Sequence, residues 1–188
     1  MAEILEKKLS WQEFRNLEFD DAEHFIYELI NGMAIKRTSP SLAHQRVSRR
    51  LTFLLEKFLS DQPLGEFFTA PTDIALDDYN GVVPDLAFVS SERSFILERE
   101  DSVDGVPDLI FEIISPGSVR RDRLDKKDLY ERFGVKEYWL LDPGNKAVEI
   151  YVLRDNAYTL HQFLEETGIA TSMVLPGFEC DISALFQV

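Results

Sequence analysis

The sequence is poor in cysteine, in long apolar runs and in positive charge, and each shortage excludes a class of protein. Cys180 is the single cysteine among 188 residues, so the chain cannot form an intrachain disulfide or a zinc site with several cysteines. No apolar run approaches the ~18 residues that a membrane span requires, and the first residues, MAEILEKKLS, lack the apolar core of a secretion signal. We therefore expect a cytoplasmic protein without a membrane partner.

Positive charge is in the minority, since 20 lysines and arginines face 34 aspartates and glutamates and the formal net charge is -14. A molecule of this charge repels a nucleic-acid backbone at long range, which counts against a nucleic-acid enzyme. The basic residues are clustered, however, and such clusters can reverse the local sign of the charge. They are Lys36 and Arg37, then Arg46, Arg49 and Arg50, then Arg120, Arg121, Arg123, Lys126 and Lys127.

The spacing of the hydrophobic residues predicts one domain over residues 1–188. They make up 45% of the chain, and no break in composition suggests a second core. Helical and strand periods follow one another along the chain, which is typical of an α/β protein with a mixed sheet flanked by helices. Asn31-Gly32 predicts an N-terminal hairpin, and the tail predicts a C-terminal one. The predicted helices cover residues 11–17, 41–59, 91–99 and 122–133, and the predicted strands cover 24–30, 33–37, 66–69, 72–76, 82–89, 109–115, 137–142, 148–153 and 158–163.

Glu112 is the most conspicuous residue of the predicted sheet. It interrupts the apolar run LIFEIIS at 109–115, which is typical of a central strand covered on both faces. A buried carboxylate is unfavourable unless it is paired or bound to a metal ion. The strand, helix and strand over 109–142 also predict a parallel crossover.

Two aspartates are candidate partners of Glu112. Asp108 shares its strand face, but four residues at ~3.3 Å separate the two by roughly 13 Å, too far for one metal ion. Asp85, in VVPDLAFV, lies on a predicted neighbouring strand ~4.8 Å away. The pair Asp85 and Glu112 suits a hard cation with oxygen ligands, magnesium first.

Lys126 completes the candidate site. At 100° per residue it shares a helix face with Leu129, Tyr130 and Phe133, which we assign to packing, whereas Lys127 points away. From that face its ammonium can reach back to the metal site and stabilise charge on a phosphate under attack. The alternatives are ordinary carboxylates at strand ends and a surface lysine.

Other polar residues are secondary candidates. His44 faces the sheet near the start of its helix, and such a histidine is more often a packed core residue than a catalytic one. Arg121, Arg123 and Lys127 are predicted nucleic-acid contacts, because arginine forks suit phosphates. Their alternative is a solvated helix start with local ion pairs.

The order of a helix, a hairpin with Pro-Asp, a strand with an acidic residue and a nearby lysine resembles the PD-(D/E)XK nuclease superfamily, with a core over about residues 41–142. The combination of motifs also resembles the Uma-type restriction endonuclease family over most of the chain. These motifs are YELINGMA, Ser41-x-x-His44, VVPDLAFV, PDLIFEIISPGS, RDRLDKKDLY and GVKEYWLLDP.

This resemblance implies a restriction-endonuclease-like fold and a magnesium-dependent endonuclease acting on DNA, with manganese as a substitute, and a homodimer. It implies Asp85, Glu112 and the main-chain carbonyl of Ile113 as metal ligands. Glu28, in the first hairpin, is an accessory candidate, because early acidic residues of this fold can complete the metal shell, and its alternative is a surface strand glutamate. The superfamily's lysine usually stands two residues after the second acid, where this chain has Ile114. In Uma-type proteins the lysine has moved to the following helix, at the position of Lys126.

Two other functions are open to the same residues. One is a non-catalytic module that binds nucleic acid or protein and keeps the nuclease fold, which the acidic composition favours. The other is hydrolysis of a different phosphate ester at the same site.

Overall fold

The computed structural model describes residues 8–19, 25–37 and 40–187. Over these residues, two larger mixed sheets and one two-stranded sheet are flanked by helices. The helices are α1 (Trp11–Arg15), α2 (Leu42–Leu59), α3 (Lys127–Phe133) and α4 (Ile182–Leu185), with a 3-10 helix (Ser91–Leu97) and a π-helical turn (Arg121–Lys126). The strands are β1 (Tyr27–Ile30), β2 (Met33–Lys36), β3 (Gly65–Thr69), β4 (Ile74–Asp77), β5 (Asn80–Val82), β6 (Leu86–Ser90), β7 (Val103–Asp104), β8 (Leu109–Ile113), β9 (Glu137–Asp142), β10 (Ala147–Arg154), β11 (Ala157–Glu165), β12 (Ile169–Thr171) and β13 (Glu179–Asp181).

The larger sheet has the strand order β11-β10-β9-β8-β6-β3, and β8 lies in its interior as predicted. β8 pairs in parallel with β9, so the π-helical turn and α3 between them form the predicted crossover. On its other side β8 pairs with β6 in antiparallel fashion, with Leu86 opposite Phe111. By the same register Asp85, the residue before Leu86, lies beside Glu112.

The second sheet has the order β2-β1-β5-β4-β7 and contains the N-terminal hairpin. Asn31 and Gly32 have φ values of 52° and 80°, the left-handed geometry that two-residue hairpin turns require. The predicted first strand began at His24, which lies outside the described residues. The C-terminal hairpin is confirmed, with β10 and β11 joined by a turn at Asp155 and Asn156.

The prediction of one strand over 82–89 is wrong, because β5 ends at Val82 and β6 begins at Leu86 in a different sheet. Pro84 explains the break, since a proline has no N–H to donate to a strand ladder. The N–H of Val83 donates instead to Glu28 Oε1, 2.9 Å away. The segment of residues 83–85 therefore crosses from one sheet to the other and places Asp85 at their junction.

The helix predicted over 122–133 is present, but it is not a regular α-helix over its whole length. It starts with the π-helical turn, and regular α-helix begins only at Lys127. Gly134, with φ of 82°, ends it in the left-handed conformation. Ser10 and Ser41 cap α1 and α2, because their side chains accept hydrogen bonds from the backbone N–H groups of Glu13 and His44.

Two hydrophobic clusters cover the faces of the larger sheet. On one face, Val47, Leu51 and Leu55 of α2 pack with Phe111 and Trp139 of the sheet. Residues from the C-terminal segment close the same cluster: Ala170, Leu175, Phe178, Cys180, Ile182, Leu185 and Phe186. On the other face, α3 contributes to a second cluster that includes Ile110, Tyr138 and Leu140. In the part of the chain that the structure describes, no helix is both long and apolar enough to cross a membrane.

Candidate active site

Ionisable side chains meet at the junction of the two sheets, and all are mostly or fully buried. We call this group the buried charge cluster. Its members are Glu28, Arg37, His44, Asp85, Glu112 and Lys126. They come from the first hairpin, α2, the segment 83–85, β8 and the π-helical turn. The structure thus brings together Asp85, Glu112 and Lys126, with the secondary candidates Glu28 and His44.

Lys126 is fully buried between two glutamates. Its ammonium lies 2.7 Å from Glu112 Oε1 and 2.8 Å from Glu28 Oε1. Glu112 Oε1 also accepts a hydrogen bond of 2.7 Å from the hydroxyl of Tyr130. Tyr130, which the sequence assigned to packing alone, therefore also positions Glu112.

The π-helical turn carries Lys126 into this position. The 100° spacing that predicted its direction assumed a regular α-helix, yet the side chain points inward as expected. π-helical turns are rare and often occur at functional sites. The turn is the local feature of this crossover that the sequence did not reveal.

Asp85 is held by three donors. Its Oδ2 accepts a hydrogen bond of 2.7 Å from the N–H of Ile113 and lies 3.0 Å from His44 Nε2. Its Oδ1 accepts one of 3.0 Å from Arg37. Burial opposes ionisation, but the hydrogen bond with His44 and the charge of Arg37 outweigh it and lower the pKa of Asp85 to about 2. Asp85 is thus an ionised carboxylate fixed in one orientation.

Arg37 is the functional candidate that sequence reasoning missed. It follows β2, its Nη1 donates to the carbonyl of Val83, and its Nη2 lies 3.0 Å from Asp85 Oδ1 and 4.0 Å from Glu112 Oε2. The sequence showed it only as one of two adjacent basic residues. Its position after the hairpin, opposite the segment 83–85, depends on the pairing of distant strands.

The cluster contains three carboxylates and two permanent cations. Burial raises the pKa of Glu112 to about 7 in spite of Lys126, and the negative charge of Asp85 adds to the rise. Glu28 is equally buried, but the charges of Lys126 and Arg37 outweigh burial and lower its pKa. The pKa values of the two glutamates beside Lys126 are therefore shifted in opposite directions. We assign the proton to Glu112 and not to Glu28, because the negative charges of Asp85 and Asp122 also raise the pKa of Glu112.

The donor atoms of the cluster determine whether it can hold a metal ion. Among the described residues, no group of three or more His, Cys, Asp or Glu side chains is arranged to hold one. Arg37 and Lys126 instead hold the carboxylates. Glu28 Oε2 and Glu112 Oε2, however, are buried atoms without a hydrogen-bond partner in the described part of the chain. Unpaired carboxylate oxygens are the ligands that magnesium prefers, so the residues fit a hard cation by their chemistry.

The cluster is closest to solvent on the side of Asp85. Arg37, His44 and Asp85 have side-chain exposures of 11%, 7% and 4%, whereas Glu28 and Lys126 have none. A molecule from solvent would therefore reach the cluster from the Arg37 side. Glu112, whose side chain is 1% exposed, becomes accessible only after a local opening.

The predicted nucleic-acid contacts lie outside the cluster and are held by partners within the chain. Arg123 pairs with Asp142 and Glu149, and the ammonium of Lys127 lies 4.3 Å from the ring centroid of Tyr151. Arg121 lies 3.5 Å from Asp122. Their contact with nucleic acid stays a prediction.

Asp108, which the strand spacing excluded from the metal site, binds elsewhere. Its Oδ1 lies 2.7 Å from the ammonium of Lys136, and its Oδ2 accepts a hydrogen bond of 2.9 Å from the N–H of Ser90. Asp108 therefore anchors the far end of β8.

The mixed sheet flanked by helices, with carboxylates at the junction and a lysine on the crossover, places the protein in the restriction-endonuclease-like fold class. The crystal structure of a "putative nuclease belonging to DUF820" from Anabaena variabilis matches it with a TM-score of 0.75. The two chains are 19% identical, and the match covers 95% of this chain and 97% of the other. The predicted fold class is thereby confirmed.

The chain belongs to the Uma2 family, whose model is described as "Putative restriction endonuclease" and matches residues 11–183. This confirms the family resemblance of the motifs. None of the curated proteins matches the chain.

Proposed function

We propose that the protein is a magnesium-dependent endonuclease that hydrolyses phosphodiester bonds of DNA. The observation that carries the proposal is the meeting of Asp85, Glu112 and Lys126 in one buried cluster, with a Glu112 oxygen that accepts no hydrogen bond from the described residues. Membership of the Uma2 family supports it.

Asp85, Glu112 and the main-chain carbonyl of Ile113 would hold the metal ion, with Glu28 as an accessory. When bound, magnesium supplies a Lewis acid for the phosphate and lowers the pKa of a bound water molecule. Manganese has the same preference for oxygen ligands and would substitute for it.

The chain's own residues would orient the reaction. Lys126 and Tyr130 fix Glu112 through its Oε1, and the ammonium of Lys126 places positive charge where negative charge develops on the attacked phosphate. In hydrolysis the water oxygen bonds to phosphorus, the bond to the leaving sugar oxygen breaks, and that oxygen takes up a proton. His44 is a candidate for moving protons at the exposed side, because its Nδ1 has no hydrogen-bond partner among the described residues.

The experiment that tests this proposal combines calorimetry with plasmid nicking on the same samples. Magnesium and manganese are titrated into the wild type, Asp85→Ala and Glu112→Ala, with Asp104→Ala on the exposed end of β7 as a control. We expect metal binding and nicking in the wild type and the control, and the loss of both in the two cluster variants. Nicking that survives Glu112→Ala contradicts the proposal.

A second function has specific support in the net charge of -14 and in the burial of the cluster. It is a non-catalytic module that keeps the nuclease fold and binds nucleic acid or protein. Metal binding without cleavage of DNA, RNA or a simple phosphate diester would favour it. The homodimer is a further proposal, tested by light scattering of the purified protein.

A further inference from the structure

Arg37 forms ion pairs with the carboxylate oxygens that are available to bind a metal ion. Asp85 Oδ2 is engaged by Ile113 and His44, and Glu112 Oε1 is engaged by Lys126 and Tyr130. The other two oxygens, Asp85 Oδ1 and Glu112 Oε2, are 3.0 and 4.0 Å from Arg37 Nη2. A cation bound by these two oxygens, one from each carboxylate, would therefore compete with the guanidinium of Arg37 for the same position.

We propose that Arg37 is an internal counter-cation, which holds Asp85 and Glu112 when no metal ion is bound and gives up this contact when one binds. The inference rests on the proposed function and deepens it, because it names a residue of the chain that competes with the metal. Its role is positioning, since it acts through the two carboxylates.

The anchoring of Arg37 supports such an exchange. Its backbone N–H donates to the carbonyl of Ile26 at 2.8 Å, which fixes the main chain beside the first strand. The guanidinium itself reaches the cluster from its most exposed side, at 11% exposure. The side chain can therefore move toward solvent while the backbone stays paired.

The charges of the cluster give the exchange a driving force. With Arg37 withdrawn, Lys126 still pairs with Glu28 and Glu112, but Asp85 loses its ion pair with a permanent cation, which leaves an excess of buried negative charge. A divalent ion compensates this charge better than the guanidinium does, while Arg37 keeps Asp85 oriented until the ion arrives. The same guanidinium must weaken metal binding, because two cations cannot occupy one place.

The test measures metal affinity in four proteins by calorimetry with magnesium and with manganese. They are the wild type, Arg37→Gln, Arg37→Lys and the control Arg93→Gln, which removes an arginine 3.7 Å from Asp108. We expect Arg37→Gln to bind metal at least about tenfold more tightly than the wild type, because it removes a like charge from the site. Arg37→Lys keeps the charge and should differ from the wild type by less than about threefold. Arg93→Gln should equal the wild type.

Thermal unfolding of the same proteins gives a second readout that does not depend on activity. Arg37→Gln should melt lower than the wild type in a chelator and recover at saturating metal, so its metal-induced rise in Tm is the larger one. If Arg37→Gln folds only when metal is added, this stronger result also supports Arg37 as the internal counter-cation.

Two results overturn the inference alone. One is a folded Arg37→Gln that binds metal no more tightly than the wild type does. The other is an Arg37→Gln that stays unfolded at saturating metal although the wild type binds it, since the ion then cannot replace the guanidinium. If none of the four proteins binds metal, the proposed function fails together with the inference.

Discussion

The elevated pKa of Glu112 predicts that the protein loses stability as the pH rises from about 4.5 to about 7. These limits are the ordinary pKa of this glutamate, 4.5, and its value of about 7 in the buried cluster. Between them the folded protein keeps Glu112 protonated while the unfolded chain ionises, so the free energy of unfolding falls with rising pH. Below pH 4.5 the contribution is fully present, and above pH 7 it is lost.

The size of the effect follows from the two pKa values. Each pKa unit corresponds to about 1.4 kcal/mol, so the proton on Glu112 contributes about 3 kcal/mol to the folded state. Glu112→Gln removes the titration and keeps the shape. The free energy of unfolding of the wild type minus that of Glu112→Gln should therefore fall by about 3 kcal/mol across this window.

Urea unfolding at half-unit pH steps, followed by the fluorescence of the buried Trp139, measures this difference. A chelator in every sample keeps metal ions from contributing. The exposed Glu66→Gln on β3 is the matched control, and its curve should run parallel to that of the wild type. A constant difference between the wild type and Glu112→Gln from pH 4.5 to pH 7 would refute the assignment of the extra proton to Glu112.

Three substitutions on the crossover between β8 and β9 make further predictions. Lys126→Met should destabilise the protein by about 3–5 kcal/mol in urea unfolding, because it leaves two buried carboxylates without their ammonium. The adjacent Lys127→Met removes the contact with the ring of Tyr151 and should cost about 1 kcal/mol or less. Equal losses of stability in Lys126→Met and Lys127→Met would contradict the assigned burial of Lys126. Tyr130→Phe removes the hydroxyl that donates to Glu112 and should cost about 1–3 kcal/mol in the same assay, whereas an unchanged midpoint would show that the hydroxyl does not hold Glu112.

Much of the fold could be predicted from local patterns. The apolar run around Glu112 predicted the central strand, and the helices predicted over 11–17 and 41–59 begin at Trp11 and Leu42 in the structure. The Asn-Gly turn at 31–32 located the first hairpin. These features depend on neighbours in the sequence, so the sequence alone determines them.

The break at Pro84 was misread although its signal was present. A proline in an apparent strand predicts an edge or an interruption, and here it marks a change of sheet. The π-helical turn has no comparable signal, because the residues of 121–126 suit an α-helix equally well.

The contacts of the candidate site that arise between neighbouring strands could be predicted, whereas a contact that depends on the packing of distant elements was missed. Asp85 and Glu112 come from paired strands, so a strand spacing was enough to bring them together. Arg37, which was missed, directly follows β2 of the other sheet, and its approach depends on how the two sheets join. No periodicity within a single element contains that information.

The junction of the sheets also determines how the molecule can open. Glu28 lies on β1 and Arg37 directly follows β2 of one sheet, while Glu112 and Lys126 lie on β8 and the crossover of the other. Separating the sheets would pull these opposite charges apart in a poorly solvated place. The amide protons of β1 and β8 should therefore exchange with solvent in one concerted opening, and the first hairpin should not fray independently of the central sheet.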